Sequence, residues 1–405
     1  MSEYTITRLG HHGDGIAEGP IYAQLTLPGE TVSGSVEGNR LQDVRIVTPS
    51  DHRVKPPCSH FKSCGGCQLQ HASDGFVADF KSGVAQHALK AQGLEAHFRK
   101  IHTSPARSRR RATFSVRRTK KGAMSGFHAR ASDVIVPVPN CQLVMPDLMK
   151  ALPAAEAMAQ LGGSRKGELS VTATHSTVGL DIAVTGGKPL DGPLRIDLAG
   201  VVHQFQLARL TWDDEVVAME QSPAQPFGKA LVTPPPGAFL QATQEGEAAL
   251  LAAVKESIAG AKQVIDLFAG CGTFSLPLAE DAEVHAVEGE ASMLQSLDAG
   301  WRNAPGLKKV TTEVRDLFRN PFLPSELNKF DAIVLDPPRA GAEAQCAEIA
   351  KSDVKKVAYV SCNPVTFARD AARLVKAGYE LDWVQPVDQF RWSSHVELAA
   401  QLIRN

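Results

Sequence analysis

From about residue 245 to the C-terminus the chain repeats one pattern: an apolar run, a polar or Gly/Pro loop, and a helical stretch. KQVIDLFAGCGTFSLPLA, AEVHAVEG, FDAIVLDPPR and KKVAYVSCNP are its clearest instances. A strand without polar alternation has to be covered on both faces. Helices between such strands supply the cover, so the pattern implies a parallel, doubly covered sheet. Ligands in such a sheet lie beyond the carboxyl ends of the strands, and Asp266, Gly270, Glu288, Asp336 and Cys362 all fall at that edge.

The N-terminal part reads differently. Residues 1–50 carry short alternating stretches (YTITRL, IYAQLTL, TVSGSV) broken by Gly-rich turns and LPGE, which predicts a small β-barrel. PSDHRVKPPC is a polar linker, and residues 71–93 have helical spacing. Strand-like segments then run to about residue 230, where TPPPGAFLQAT (233–243) marks a boundary. A chain of 405 residues can bury several cores. The expected units are a barrel over 1–50, a central α+β unit over 51–232 and a Rossmann-like α/β unit over 233–405, with a helix at 71–98 packing on the last of these. MSEYTITRLG lacks the apolar core of a signal peptide, and no apolar run approaches membrane-spanning length. A cytoplasmic protein with no obligate protein partner is therefore expected.

The cysteines are unevenly placed. There are seven, and three lie within CSHFKSCGGC, which argues for metal ligation or catalysis over a disulfide framework. Cys58, Cys64 and Cys67 need a fourth ligand, and Cys141 in VPNCQLV is the candidate. Four thiolates suit zinc, although the Cys-x5-Cys spacing is untypical of a zinc ribbon. An iron–sulfur cluster is the other possibility.

Charge is uneven too. Net charge is −1, yet Arg99 to Arg130 holds eleven Lys or Arg and no Asp or Glu. Arg109, Arg110, Arg111, Arg117, Arg118, Lys120 and Lys121 are its core, with Phe114 and Phe127 interleaved. A solvated strand face is one explanation; a nucleic-acid-binding face is the other. Phe239, in the Pro-rich stretch, is counted with this RNA-binding set.

In VIDLFAGCGTF a strand ends at Asp266–Phe268, and the Gly270-Cys271-Gly272 loop lets a ligand approach the backbone. Glu288 ends the next strand, where a carboxylate accepts ribose hydroxyls, and Asp316 follows the one after. A dinucleotide site prefers a third glycine-like residue where this chain has Ser275, and the later loops do not suit hydride chemistry. S-adenosylmethionine is the expected cofactor.

The reaction loops are LDPPRAG, with Asp336 and Arg339, and YVSCNP, with Cys362 leaving its strand for the functional edge. A lone Cys is commonly a small buried hydrophobe; one at this edge suits nucleophilic catalysis. VDQFRWSSHVELAAQL adds Asp388, His395 and Glu397 around the start of an apolar strand. One reaction needs this set. Uracil C5 is a poor nucleophile until a thiolate adds at C6, and a base must afterwards remove the C5 proton.

DLFAGCGTF, LDPPRAG, YVSCNP and HVE, in this order, closely resemble the RNA 5-methyluridine methyltransferases. The N-terminal module with LPGE resembles their OB-type TRAM domain, and CSHFKSCGGCQLQH resembles the iron–sulfur segment of the ribosomal-RNA branch. The resemblance implies a class I methyltransferase domain, Cys362 as nucleophile, Glu397 as base and Asp336 beside methyl donor and uracil. It implies donor contacts from Gln241 in FLQAT, Phe268, Glu288 and Asp316, together with the glycine loop through Gly270 and Thr273. It also tips the cysteine site to a 4Fe–4S cluster on Cys58, Cys64, Cys67 and Cys141, and the substrate to 23S rRNA. A tRNA enzyme is the alternative, set lower because that branch is expected to lack the barrel and the cysteine cluster. A non-catalytic iron–sulfur RNA-binding protein is the alternative of another class. Family patterns differ at Thr243 and Thr273, where Asn is usual, and in FRWSSHVE.

Overall fold

The computed structural model describes residues 2–404. Residues 2–48 form a closed five-stranded barrel, ordered Ser2–Leu9, Gly15–Ala17, Ile21–Ala23, Arg40–Thr48 and Thr31–Glu37. Its core is small: Ile6, Ala17, Ala23, Val32 and Leu41. LPGE earns its place through Glu30, which is fully buried. Burial alone would raise the Glu30 pKa. Bonds from Arg53 (2.5 and 2.8 Å), Leu27 N–H (2.8 Å) and Ser50 N–H (3.2 Å) outweigh it and hold the carboxylate below its ordinary value. The barrel is thereby tied to the linker that follows.

The central sheet has seven strands, ordered Ile135–Val136, Ala123–His128, Arg111–Arg118, Leu169–Ser176, Gly179–Thr185, Arg209–Trp212 and Glu215–Met219. Helices Ala151–Gly162 and Gly192–Phe205 close its core. In Arg111–Arg118 the period of two puts Ala112, Phe114 and Val116 in that core and Arg111 and Arg117 on the other face.

The C-terminal sheet runs Val310–Val314, Glu283–Glu288, Gln263–Leu267, Ala332–Leu335, Lys356–Ser361, Glu397–Ile403, Glu380–Asp388 and His97–Phe98, with His102–Thr103 also on Glu380–Asp388. It is parallel as expected, with one exception. Glu397–Ile403 runs antiparallel to both its neighbours. Its first residue therefore stands at the edge where the neighbouring strand Lys356–Ser361 ends, and Ser361 pairs with Leu398. One reversed strand sets Glu397 beside Cys362.

The helix expected over 71–98 spans Asp74–Ala91, capped by Ser73 and stopped by Gly93 at φ +71°. It packs on the helix Pro364–Lys376 and on Glu380–Asp388. Residues 74–103, early in the sequence, thus complete the C-terminal sheet. The join is a buried ion pair: Lys81 Nζ lies 2.5 Å from Asp388 Oδ1 and 3.1 Å from the Phe390 carbonyl, both side chains almost fully buried. No helix among the described residues is long and apolar enough to cross a membrane.

Removing one member leaves the other charge buried alone. Lys81→Ala is expected to lower unfolding free energy by about 3–5 kcal/mol, read as a reduced urea midpoint. Lys81→Met with Asp388→Leu is expected to recover most of that loss.

Candidate active site

The strand Gln263–Leu267 opens into a loop in which Phe268 (φ +67°), Gly270 (φ +55°) and Gly272 (φ +92°) are all left-handed. A Cβ on Gly272 would stand 2.8 Å from Leu297, so close packing as well as φ requires glycine there. Nothing lies within 4 Å of where a Gly270 Cβ would be, which leaves the loop open to a ligand. Thr273 is half-buried in the turn that follows. Glu288 receives N–H bonds from Gly270 (3.1 Å), Gly289 (2.7 Å) and Glu290 (3.2 Å), which fix its carboxylate beside the loop. Asp316 is held by Phe318 N–H at 3.0 Å. Phe318, which the sequence did not single out, is half-exposed and meets Phe268 with ring centroids 5.5 Å apart. Asp266 accepts from Ser275 Oγ at 2.5 Å, while its Oδ1 is buried without a partner. Aromatic surface, carboxylates and an orphaned buried oxygen suit S-adenosylmethionine, with its adenine, ribose and ammonium groups.

Next to this loop lies a tight carboxylate–thiol group. Glu397 is 2% exposed. Burial and the neighbouring Asp336 push its pKa up to about 8, against a hydrogen bond from Gln389 that lowers it. Asp336 is pushed up to about 7 by burial and by Asp266. Burial, then the charges of Glu397 and Asp336, raise the Cys362 thiol to about 11, with Arg339 opposing. Arg339 Nη2 is 3.3 Å from His395 Nδ1 at the mouth. Gln241 Nε2 reaches Asp336 Oδ2 at 3.4 Å, and its Oε1 accepts from Gln389 Nε2 at 2.5 Å. Thr243 caps the helix Gln244–Ser257 by accepting from Gly246 N–H. Sequence reasoning did not identify Gln389. Its only signal was a polar residue directly after an apolar strand, in the loop leading to Glu397.

Cys58, Cys64, Cys67 and Cys141 line one pocket with Phe61, Phe127, Val138 and Leu143. Burial pushes the Cys67 thiol up to about 12, and the other three cysteines add to the shift. N–H groups of Gly66 and Leu143 point at the sulfurs of Cys64 and Cys141, each at 3.4 Å.

Residues 235–405 match the family described as tRNA (Uracil-5-)-methyltransferase. An uncharacterized RNA methyltransferase of Rhizobium meliloti (strain 1021) is 44% identical over 98% of both chains. The 23S rRNA (uracil(1939)-C(5))-methyltransferase of Halomonas elongata is 32% identical over 98% of this chain and 88% of its own. The chain belongs to the RNA (uracil-C5) methyltransferase family. The crystal structure of Pyrococcus abyssi tRNA (uracil-54, C5)-methyltransferase has the same fold, with a TM-score of 0.77 at 21% identity over 99% of each chain. Because that span takes in the barrel, the expectation that a tRNA enzyme would lack it does not hold.

For an RNA methyltransferase the basic stretch needs correction. Arg110 cannot face RNA: it is 1% exposed, paired with Glu247 and bonded to the Gln241 carbonyl at 2.9 Å. Desolvating a lone guanidinium is costly, so a remote acid meets it. Arg109 is half-buried, with its Nε on the Arg111 carbonyl (3.0 Å), and Arg111 holds the Gly237 carbonyl at 2.9 Å. Arg117 pairs with Glu168 at 2.9 Å. Phe114 and Phe127 are core partners with centroids 5.0 Å apart, not stacking platforms. Arg118 is half-buried, Lys120 and Lys121 are exposed, and Phe239 is 61% exposed next to the Gln241 network.

The raised Glu397 pKa has a stability consequence. Below its ordinary value of 4.5, folded and unfolded chains both carry the proton; between 4.5 and about 8 only the unfolded chain releases it, so stability falls across that window. Glu397→Gln is expected to stabilise the free protein by up to about 4 kcal/mol at pH 8, seen as a higher Tm, and to change nothing at pH 4.

Proposed function

We propose that this family member methylates C5 of a uridine in 23S rRNA, with Cys362 as nucleophile and Glu397 as base. The observation that carries the reading is the meeting of a half-exposed thiol and a buried carboxylate, brought together by the reversed last strand.

Phe268, Gly270, Glu288, Asp316 and the Asp266 carboxylate would hold S-adenosylmethionine, with Gln241, Thr273 and Asp336 lining its inner side. When bound, it supplies an electrophilic methyl group. Cys362, ionised with help from the Arg339 charge, adds through sulfur to uracil C6. The ring electrons move toward O4, and C5 becomes the nucleophile that takes up the methyl group. Asp336, its pKa near 7, is fitted to share a proton with the uracil edge. Glu397 then accepts the C5 proton, the C6–S bond breaks and the thiolate is restored. Phe239 and the exposed Lys120 and Lys121 are the most open of the expected RNA contacts, and Arg117 and Arg118 remain partly exposed.

The ribosomal target rests on full-length similarity to the Halomonas elongata enzyme. A tRNA target is the second reading, favoured by the shared fold of the Pyrococcus abyssi enzyme. Incubating the protein with 23S rRNA and with total tRNA from cells lacking it is expected to label the rRNA. Labelling of tRNA alone would reverse the assignment. Cys362→Ala is expected to lower methyl transfer on the order of 10³-fold. Glu397→Gln is expected to trap a covalent protein–RNA adduct visible on a denaturing gel, because addition and methylation survive while elimination stalls. Normal turnover by either variant would sink the mechanism.

The four-cysteine pocket is read as a 4Fe–4S site. A tetrahedral zinc site would hold its sulfurs about 2.3 Å from a single ion. Four thiols lining one pocket could serve either group, and the resemblance of CSHFKSCGGCQLQH to the iron–sulfur segment of the ribosomal-RNA branch is what favours the cluster. Protein purified without oxygen is expected to carry ~4 iron and ~4 sulfide per chain. Cys141→Ala is expected to lose them, and about one zinc per chain would refute the reading.

A further inference from the structure

Gln389 takes no part in the steps assigned above, yet every polar atom of its buried amide is engaged. Its Oε1 accepts from the N–H groups of Ala242 (2.6 Å) and Thr243 (3.4 Å). Two backbone donors at one end decide which end is oxygen, so Nε2 must face the other way. There it meets two acceptors, Oε1 of Gln241 and Oε2 of Glu397. Gln241, fixed by that bond, turns its own Nε2 toward Asp336. The side chain is 1% exposed. An apolar residue would fill the space without the cost of desolvating an amide, so packing alone does not account for it.

We propose that Gln389 is a positioning residue for the deprotonation step: it favours the ionised form of the Glu397 carboxylate and aims it, and it locks Gln241 facing Asp336. The inference rests on the assignment of Glu397 as the base. In that step the C5–H electron pair becomes the C5=C6 double bond as the C6–S bond breaks. Sulfur leaves as the Cys362 thiolate, and the proton goes to Glu397, which must be ionised to receive it. Glu397 is faced by Asp336 from the LDPPRAG loop, by Cys362 from the adjoining strand and by the Gln389 amide. Burial and Asp336 disfavour its charge, and Gln389 favours it. Of the charges nearest the carboxyl edge on the elements packed around this strand, Asp388 is paired with Lys81, Glu247 with Arg110 and Asp370 with Arg369.

Two substitutions separate this role from packing. Gln389→Met keeps the length and removes every hydrogen bond. Gln389→Glu keeps an acceptor for Ala242 and Thr243, and so the local fold, but replaces the neutral amide donor by an ionisable acid that competes with Glu397 for the proton. Each is loaded in a single turnover with an RNA transcript that the wild-type protein methylates. Release of the covalent adduct is then followed from about pH 6 to pH 9. Release starts from the C6–S adduct, so ionisation of the free Cys362 thiol does not enter. The expected result is adduct accumulation in both variants, with release at neutral pH slowed about 10-fold or more. The rising limb of release against pH should move up by about 1 unit, and kcat should fall more than KM rises. Glu397→Gln run in parallel keeps the two readings apart. If it traps no adduct, the base assignment is wrong and this inference falls with it. If it traps adduct while both Gln389 variants release at the wild-type rate and pH dependence, Glu397 stands and the role of Gln389 is refuted.

Discussion

The buried Lys81–Asp388 pair is the constraint on which the catalytic edge depends. Neither charge can be left in a dry interior alone, so the helix Asp74–Ala91 and the end of Glu380–Asp388 must meet in one register. Burial pulls the Lys81 pKa down, and the Asp388 charge works against that. A buried pair is a weak source of stability compared with apolar packing, but it is a strong source of position. Asp388 Oδ1 also accepts from the Phe390 N–H, so the same carboxylate shapes the turn that begins at Gln389. From that turn the chain passes through His395 and enters the reversed strand at Glu397.

The loop between Asp388 and Glu397 is gripped from the cysteine-bearing segment as well. The Trp392 carbonyl accepts from the N–H groups of Gln68 (2.8 Å) and Leu69 (2.9 Å), and the Trp392 ring packs with Phe61, Cys67 and Leu143. Arg391 reaches Asp74 at 2.7 Å and the Ser104 carbonyl at 3.1 Å. A group that ordered the four cysteines would therefore order the base-carrying loop too, without touching the reacting atoms. Such a group would brace the active site beside it.

How much of this was legible in the sequence depends on whether the deciding contact is local. Apolar runs ending in DLFAGCG, LDPPR and YVSCNP gave the sheet and its functional edge, because burial on both faces leaves a local signature. Strand direction leaves none: ELAAQLI reads the same whichever way it runs, so the reversal that sets Glu397 beside Cys362 was invisible to pattern alone. The basic stretch misled for a related reason. Counting charges within residues 99–130 found no acid, yet Glu247 and Glu168 arrive from elsewhere to pair with Arg110 and Arg117. Alternation along Arg111–Arg118 already carried the correction for Phe114, since every second residue of a half-buried strand must face the core. Gln389 was hidden more deeply, because its partners lie at Gln241, Ala242 and Thr243 and no spacing rule links them.

The catalytic group also explains why so much of the molecule is spent on restraint. Asp266, Asp336 and Glu397 are each held well above their ordinary pKa by burial, Asp336 also by Asp266 and Glu397 also by Asp336. Such a trio opposes folding at neutral pH, and left to relax it would drift apart or admit water. Proton transfer requires the reverse, a base short of solvation and fixed in direction. Donors aimed at the group from rigid backbone meet both demands, because they offset part of the lost hydration without supplying a mobile proton. The Ala242 and Thr243 N–H groups orient Gln389, and Gln389 orients Glu397 and Gln241. Those N–H groups sit where FLQAT enters a helix, and Arg110 clamps that entry through the Gln241 carbonyl and Glu247. The arginine that local charge counting assigned to RNA thus acts two bonds behind the active-site amides, holding the backbone that aims them.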